Sequence, residues 1–96
     1  MSDYRFDWDE KKAISNLRKH GVSFEEAKTV FYDDNAVEFF DNQHGRIEDR
    51  FLLLGYALTG KMLMICHCIR SHGNVVRIIS ARKATKNEQT FYYKRS

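Results

Sequence analysis

Three arginines, Arg50, Arg77 and Arg82, stand inside or at the ends of apolar runs that read as strands. A guanidinium in a strand costs free energy unless it is paired or faces water. One face of an antiparallel sheet can stay wet, so the plain reading is three solvated positions. The sharper reading has them converge on that open face, where arginine grips a phosphate through two parallel hydrogen bonds. His44 and Glu48 lie just upstream of Arg50. A histidine titrates near neutral pH and a carboxylate accepts a proton, so the two could supply an acid and a base, in either order. Glu48 equally suits a salt bridge to Arg50. Arg77 and Arg82 have opposite parity on a regular strand, so a shared site requires Arg82 to lie past the strand end, in the turn toward Lys83.

Other chemistry-bearing residues point less sharply. Cys66-His67-Cys68 has zinc-ligand types, but strand alternation turns His67 to the opposite face from both thiols, and two reduced strand cysteines are the simpler reading. Two cysteines this close cannot staple distant segments. His20 suits a helix end, and Phe91, Tyr92 and Tyr93 could stack on bases or dock into the core. No glycine-rich phosphate loop or nucleophile elbow is present. No metal and no cofactor are expected.

Charge supports an anionic partner. Residues 1–45 hold six Lys/Arg and ten Asp/Glu, whereas residues 46–96 hold ten Lys/Arg and three Asp/Glu. A basic half of this kind suits nucleic acid, although a solvated basic face is common in small domains. The 96 residues suit a single domain, 1–96, and exclude a two-domain cofactor enzyme. The apolar run Phe51 to Leu58 is far short of the ~20 residues that span a bilayer. An acidic start, Asp3, Asp7, Asp9 and Glu10, does not resemble a signal peptide. A cytoplasmic chain with no membrane partner is the expectation.

The elements that must position these residues come in two halves. Tyr4 to Phe6 reads as a short edge strand. Asp7 reads as an N-cap with Glu10 completing a capping box, for a helix through Ile14 and Leu17 that stops at Gly21. Ser23 and Glu26 form a second box, ahead of a helix with Phe24, Ala27, Val30 and Phe31 on one face. Beyond Asp33-Asp34-Asn35 come strands at Ala36–Asp41, Asp49–Ala57, Lys61–Arg70 and Asn74–Ala81, with hairpin turns at Thr59-Gly60 and Ser71-His72-Gly73-Asn74. The tail from Ala84 to Tyr93 reads as a last helical piece. The expected fold is α+β: an N-terminal helical pair on one face of a three- to four-stranded antiparallel β-meander, with a short C-terminal helix.

Along nearly its whole length the chain resembles the BrnT toxin family of bacterial type II toxin–antitoxin systems. The resemblance rests on Phe6-Asp7-Trp8-Asp9, then Lys19-His20-Gly21-Val22-Ser23-Phe24-Glu25-Glu26-Ala27, then His44, Glu48 with Arg50, and Gly55. The run Arg77-Ile78-Ile79-Ser80-Ala81-Arg82 follows, with Glu88 and Tyr92 in the tail. It implies a RelE-like fold and a ribosome-independent ribonuclease that arrests translation. It also implies a BrnA-like antitoxin with a ribbon-helix-helix DNA-binding part, through which the complex contacts its operon DNA indirectly. The Cys66-His67-Cys68 segment departs from the aliphatic strand of that family.

On this reading the RNA's own 2′-hydroxyl attacks the adjacent phosphate, so neither metal nor bound water is required. Arg50, Arg77 and Arg82 would take phosphate and transition-state charge, with Glu48 and His44 as acid–base groups and Lys83, Arg70 and Tyr92 as RNA contacts. The rival from another class is a non-catalytic interaction module, binding an antitoxin or nucleic acid through the same basic face. A DNA-binding protein in its own right is disfavoured, because the helical half is the acidic half.

Overall fold

The computed structural model describes residues 4–41, 49–70 and 73–94. In chain order it holds β1 (Arg5–Asp7), α1 (Glu10–His20), α2 (Phe24–Lys28), a 3₁₀ turn (Thr29–Tyr32), β2 (Val37–Asp41), β3 (Arg50–Tyr56), β4 (Met62–Arg70), β5 (Val75–Lys83) and α3 (Lys86–Lys94). The α+β expectation holds, and β2 to β5 form the antiparallel meander.

Two parts of that expectation are corrected. The sheet has five strands in the order β1-β5-β4-β3-β2 and is mixed, because β1 joins the free edge of β5 in parallel, with Phe6 opposite Val76. A three-residue strand is too short for sequence periodicity to reveal its partner or direction. The helices also lie on both faces rather than one. Val22, Phe24, Ala27 and Val30 pack with Leu53, Leu63, Ile65, Val76, Ile78 and Ala81 on one side of the sheet. On the other side Tyr92 and Ala84 pack with Leu54, Met62 and Met64, so α3 covers part of the face that a simple two-layer fold would leave wet.

Local chemistry sets the helix limits. Asp9, not Asp7, caps α1, accepting from the Lys11 and Lys12 amides at 2.8 and 3.3 Å. Asp7 is instead the last residue of β1. The helix ends at Gly21, whose φ of 71° suits a residue without Cβ. Ser23 caps α2 by accepting from the Glu26 amide at 3.0 Å, but the Glu26 carboxylate turns to the Thr59 hydroxyl rather than closing a box. After Lys28 the run Thr29-Val30-Phe31-Tyr32, all β-branched or aromatic, tightens to 3₁₀ geometry.

Only Asn16 of α1 is fully buried, and its amide explains the helix's orientation. Nδ2 donates to the Val22 and Ala81 carbonyls at 2.9 and 2.8 Å, and Oδ1 accepts from the Ala81 amide at 3.1 Å. The pairing of β1 with β5 ends at Arg77, so beyond it the Asn16 amide stands in for a missing strand. Asp33 ties the other end of the sheet. Its carboxylate accepts from the Tyr56 amide and the Tyr92 hydroxyl, each at 2.8 Å, and from the Asn35 amide at 3.0 Å. Burial opposes the charge on Asp33, but these donors outweigh it and hold the carboxyl below its ordinary range.

Candidate functional site

The strand register decides which arginines share a surface. In the β4–β5 pair Cys68 lies opposite Arg77, His67 opposite Ile78, Cys66 opposite Ser80 and Met64 opposite Arg82. Ile79 is therefore a surplus residue, accommodated as a β-bulge. That bulge cancels the parity conflict expected of a regular strand. Cys68 and Met64 point to the same face, so Arg77 and Arg82 do as well. Arg82 lies within β5, not in a turn past its end. Across the sheet Phe51 pairs with His67 and Leu52 with Cys66, which puts Arg50 on the arginine face too. All three point away from the α1–α2 layer.

Sharing a face is not sharing a point. Arg50 and Arg77 flank β4 at the level of Cys68, two strand spacings or roughly 10 Å apart, within reach of a common phosphate for two long side chains. Arg82 lies four β4 positions away, roughly 13 Å along the strand. The face therefore has a two-arginine focus and a separate third cation in line with it.

The partners of these arginines differ. Arg77 donates through Nη1 to Asp7 Oδ2 at 2.7 Å, so β1 supplies its counter-charge. Arg82 forms a two-pronged pair with Glu88, both contacts at 2.8 Å. Glu88 is held for this by a capping box at the start of α3: its carboxylate accepts from the Thr85 amide at 2.9 Å and its amide donates to Thr85 Oγ1 at 3.1 Å. The Arg82 guanidinium is the main reason the Glu88 carboxyl falls to about 2. Arg50 is half-buried beside Asp41 of β2, and its Nε is shielded from solvent with no hydrogen bond among the described residues. A shielded donor of this kind is costly unless an acceptor reaches it.

Of the other candidates, Arg70 lies two residues beyond Cys68 and shares the arginine face by parity. Lys83 pairs with Leu63, which gives it the opposite parity, and it lines a hollow at the strand end with Tyr56, Lys61 and Gln89. Tyr92 is buried, with its hydroxyl on Asp33, and burial followed by that bond pushes it up to about 12. It docks α3 rather than presenting a stacking surface. His44 and Glu48 lie outside the described residues. His67 is 2% exposed and packed against Phe31 and Phe51 on the α1–α2 side, where burial lowers its pKa to about 4. It is neutral at physiological pH and faces away from the arginines. Cys66 is on the arginine face, but burial pushes its thiol up, away from nucleophilic character.

Asp7 is the member of this cluster that sequence reasoning placed elsewhere. Its register with Arg77 follows from the parallel pairing of β1 and β5. In the sequence the Thr85-x-x-Glu88 spacing was the available signal for the carboxylate that grips Arg82. Chemically, the surface offers three arginines on one sheet face, two of them paired with carboxylates.

Comparison with known proteins follows the same chain. A family model described as the ribonuclease toxin, BrnT, of type II toxin–antitoxin systems matches residues 8–88. The chain is similar in fold to the 1.1 Å crystal structure of the Brucella abortus ribonuclease toxin BrnT, with a TM-score of 0.68 and 21% identity over 88% of this chain and 100% of that one. No curated protein matches. The matched span includes Arg50, Arg77, Arg82 and Glu88.

Proposed function

Because this chain belongs to the BrnT family of ribonuclease toxins of type II toxin–antitoxin systems, we propose that it cleaves RNA on the arginine face by internal attack of the 2′-hydroxyl. The observation that carries this reading is the bulge-dependent alignment of Arg50, Arg77 and Arg82 on one face, with the Arg50 Nε left unpartnered among the described residues. Arg50 and Arg77 grip the scissile phosphate and stabilise the charge that builds on it as the phosphorane forms. Arg82 takes a neighbouring phosphate once it is drawn from Glu88. His44 and Glu48, in the stretch that joins β2 to β3, take the 2′ proton and protonate the departing 5′ oxygen, in an order left open. Since the nucleophile belongs to the RNA, the step requires no metal; action without a ribosome is what the resemblance to the BrnT family implies.

The antitoxin partner is proposed to be of the ribbon-helix-helix, BrnA-like kind, carrying the DNA contact of the complex, with both proteins in the cytoplasm. Among the described residues no helix is long and apolar enough to cross a membrane. One observation favours a second use of the same face. Asp7 and Glu88 already place carboxylates on Arg77 and Arg82. An acidic antitoxin segment that displaced them would silence the face by occupying it.

The test is cleavage of a defined RNA by purified protein in EDTA, beside a DNA copy and the Arg50→Ala variant. RNA cleavage that survives EDTA and falls roughly 10²–10³-fold in the variant is expected, as for removal of one well-placed transition-state donor. Unchanged cleavage in the variant would take Arg50 out of the site.

A further inference from the structure

Two polar side chains are buried among the described residues, Asn16 and His67. The Asn16 amide has backbone partners for all it offers, whereas His67 is not provided for. Its Nδ1 is shielded from solvent and has no hydrogen-bond partner among the described residues. Its Nε2 stands 3.8 Å from Glu38 Oε2, beyond hydrogen-bond reach. Burial keeps the ring neutral at physiological pH, so one of its nitrogens is an acceptor. The Ile65 carbonyl acts on the ring only as another acceptor, and Glu38 offers only carboxylate oxygens. The accepting nitrogen of His67 therefore meets no donor among the described residues, and such a lone pair is costly unless something supplies one.

The ring forms part of the wall of a cavity of about 260 Å³, with Tyr4, Phe31, Asp33, Glu38 and Leu53. Glu38 pairs with Leu53, and Leu53 with Ile65, two residues before His67, so all four share the α1–α2 face of the sheet. Among the described residues no Lys or Arg lines the cavity, whereas two carboxylates do. The Asp33 oxygens are already taken by the Tyr56 and Asn35 amides and the Tyr92 hydroxyl, so Asp33 contributes field rather than a contact. Glu38 is half-exposed and keeps oxygens to give. Tyr4 and Phe31 supply aromatic walls, a surrounding that favours a cation.

These walls select the occupant. The two carboxylates repel an anion. A group that fills the gap between Glu38 and His67 must donate to both, carry positive charge and tolerate aromatic neighbours. A guanidinium does this: it is planar, weakly hydrated and has five N–H donors, whereas an ammonium is compact and strongly hydrated. The volume is below the ~300–1,000 Å³ of ordinary ligand pockets, which suits a head group rather than a large molecule. We propose that this cavity is a binding site for an alkylguanidinium, which donates to Glu38 and His67 at once. Two sources carry that group, a free small molecule or an arginine side chain of the antitoxin. The site lies on the sheet face opposite Arg50, Arg77 and Arg82, and so stands apart from the arginine chemistry.

The experiment titrates the full chain with agmatine, following the imidazole nitrogens of His67 by NMR and affinity by calorimetry. Agmatine is expected to shift the His67 signals, identified as those missing from His67→Phe. Glu38→Gln alters an exposed side chain and keeps the fold, and it should weaken agmatine roughly 10- to 100-fold, the worth of hydrogen bonds to a charged group. His67→Phe keeps the aromatic packing and removes the acceptor. It should weaken agmatine roughly tenfold, with thermal melting unchanged or raised because an unpartnered buried nitrogen is gone. Agmatine that leaves the His67 signals unmoved, or that binds Glu38→Gln as well as wild type, would overturn the proposal. A parallel titration with purified antitoxin separates the sources. Antitoxin affinity that falls in Glu38→Gln, with agmatine competing, makes the group an antitoxin arginine, and affinity that ignores both makes it a free molecule. A chain that binds agmatine here but cleaves no RNA would sink the ribonuclease reading alone.

Discussion

Glu88→Gln separates the charge of one carboxylate from every other role it has. Gln can still close the capping box with Thr85, so the start of α3 keeps its hydrogen bonds. Lost are the charge and the two-pronged grip on Arg82. The Glu88 carboxyl, ordinarily near 4.5, titrates at about 2 in the folded chain, chiefly through Arg82. At full strength such a difference contributes about 3 kcal/mol. Arg82 is 41% exposed and solvent screens the pair, so roughly half of that is the expected worth. Because the folded carboxyl titrates lower than the unfolded one, this stability is fully present above about 4.5 and is lost as pH falls toward about 2. Urea unfolding at neutral pH should therefore show the variant less stable by roughly 1.5 kcal/mol, and the gap should close at the acid end of that window. A gap that stays constant down to the acid end would refute the charge-based account. Cleavage by the variant should hold or rise, since Arg82 is released, and a tenfold loss would make Glu88 itself part of the substrate site.

Two further outcomes test the scaffold. Asn16→Ala leaves two carbonyls and an amide of buried residues without partners, and a loss of about 3 kcal/mol is expected, or roughly 12–24 °C in Tm; under about 1 kcal/mol would mean that water replaces the amide. Gly55→Ala would set a Cβ 3.0 Å from both Ala36 Cβ and Asp33 Oδ2 and 3.1 Å from Val30 Cγ1, so overpacking should cost about 1–3 kcal/mol by urea unfolding, and an unperturbed variant would show that the Asp33 turn yields easily.

Features written in local chemistry were legible in the sequence. Gly21 as a helix stop, Ser23 as a cap and the hairpin-linked run of β2 to β5 all follow from residue type and spacing. What escaped was relational. Asp7 reads from sequence as the α1 cap, whereas pairing with β5 extends β1 to Asp7 and leaves the cap to Asp9. Which side of α1 faces the sheet was not legible either, because it is set by Asn16, whose backbone partners are 65 residues away for Ala81 and six for Val22. The shared face of Arg77 and Arg82 was hidden for a similar reason. A bulge belongs to a pair of strands and leaves no mark in either one read alone.

The surplus Ile79 has an implication for comparing relatives. Strand faces count residues much as a reading frame counts bases, and the bulge absorbs one extra residue without changing which β4 residue Arg82 faces. A relative without that residue, and with regular pairing, would carry its two arginines four apart and present the same charged surface as this chain with its five. Linear spacing is then no guide to common ancestry of the site. An alignment that penalises this gap would split proteins whose surfaces agree, and one that forces five-residue spacing onto an unbulged strand would equate arginines on opposite sides of a sheet.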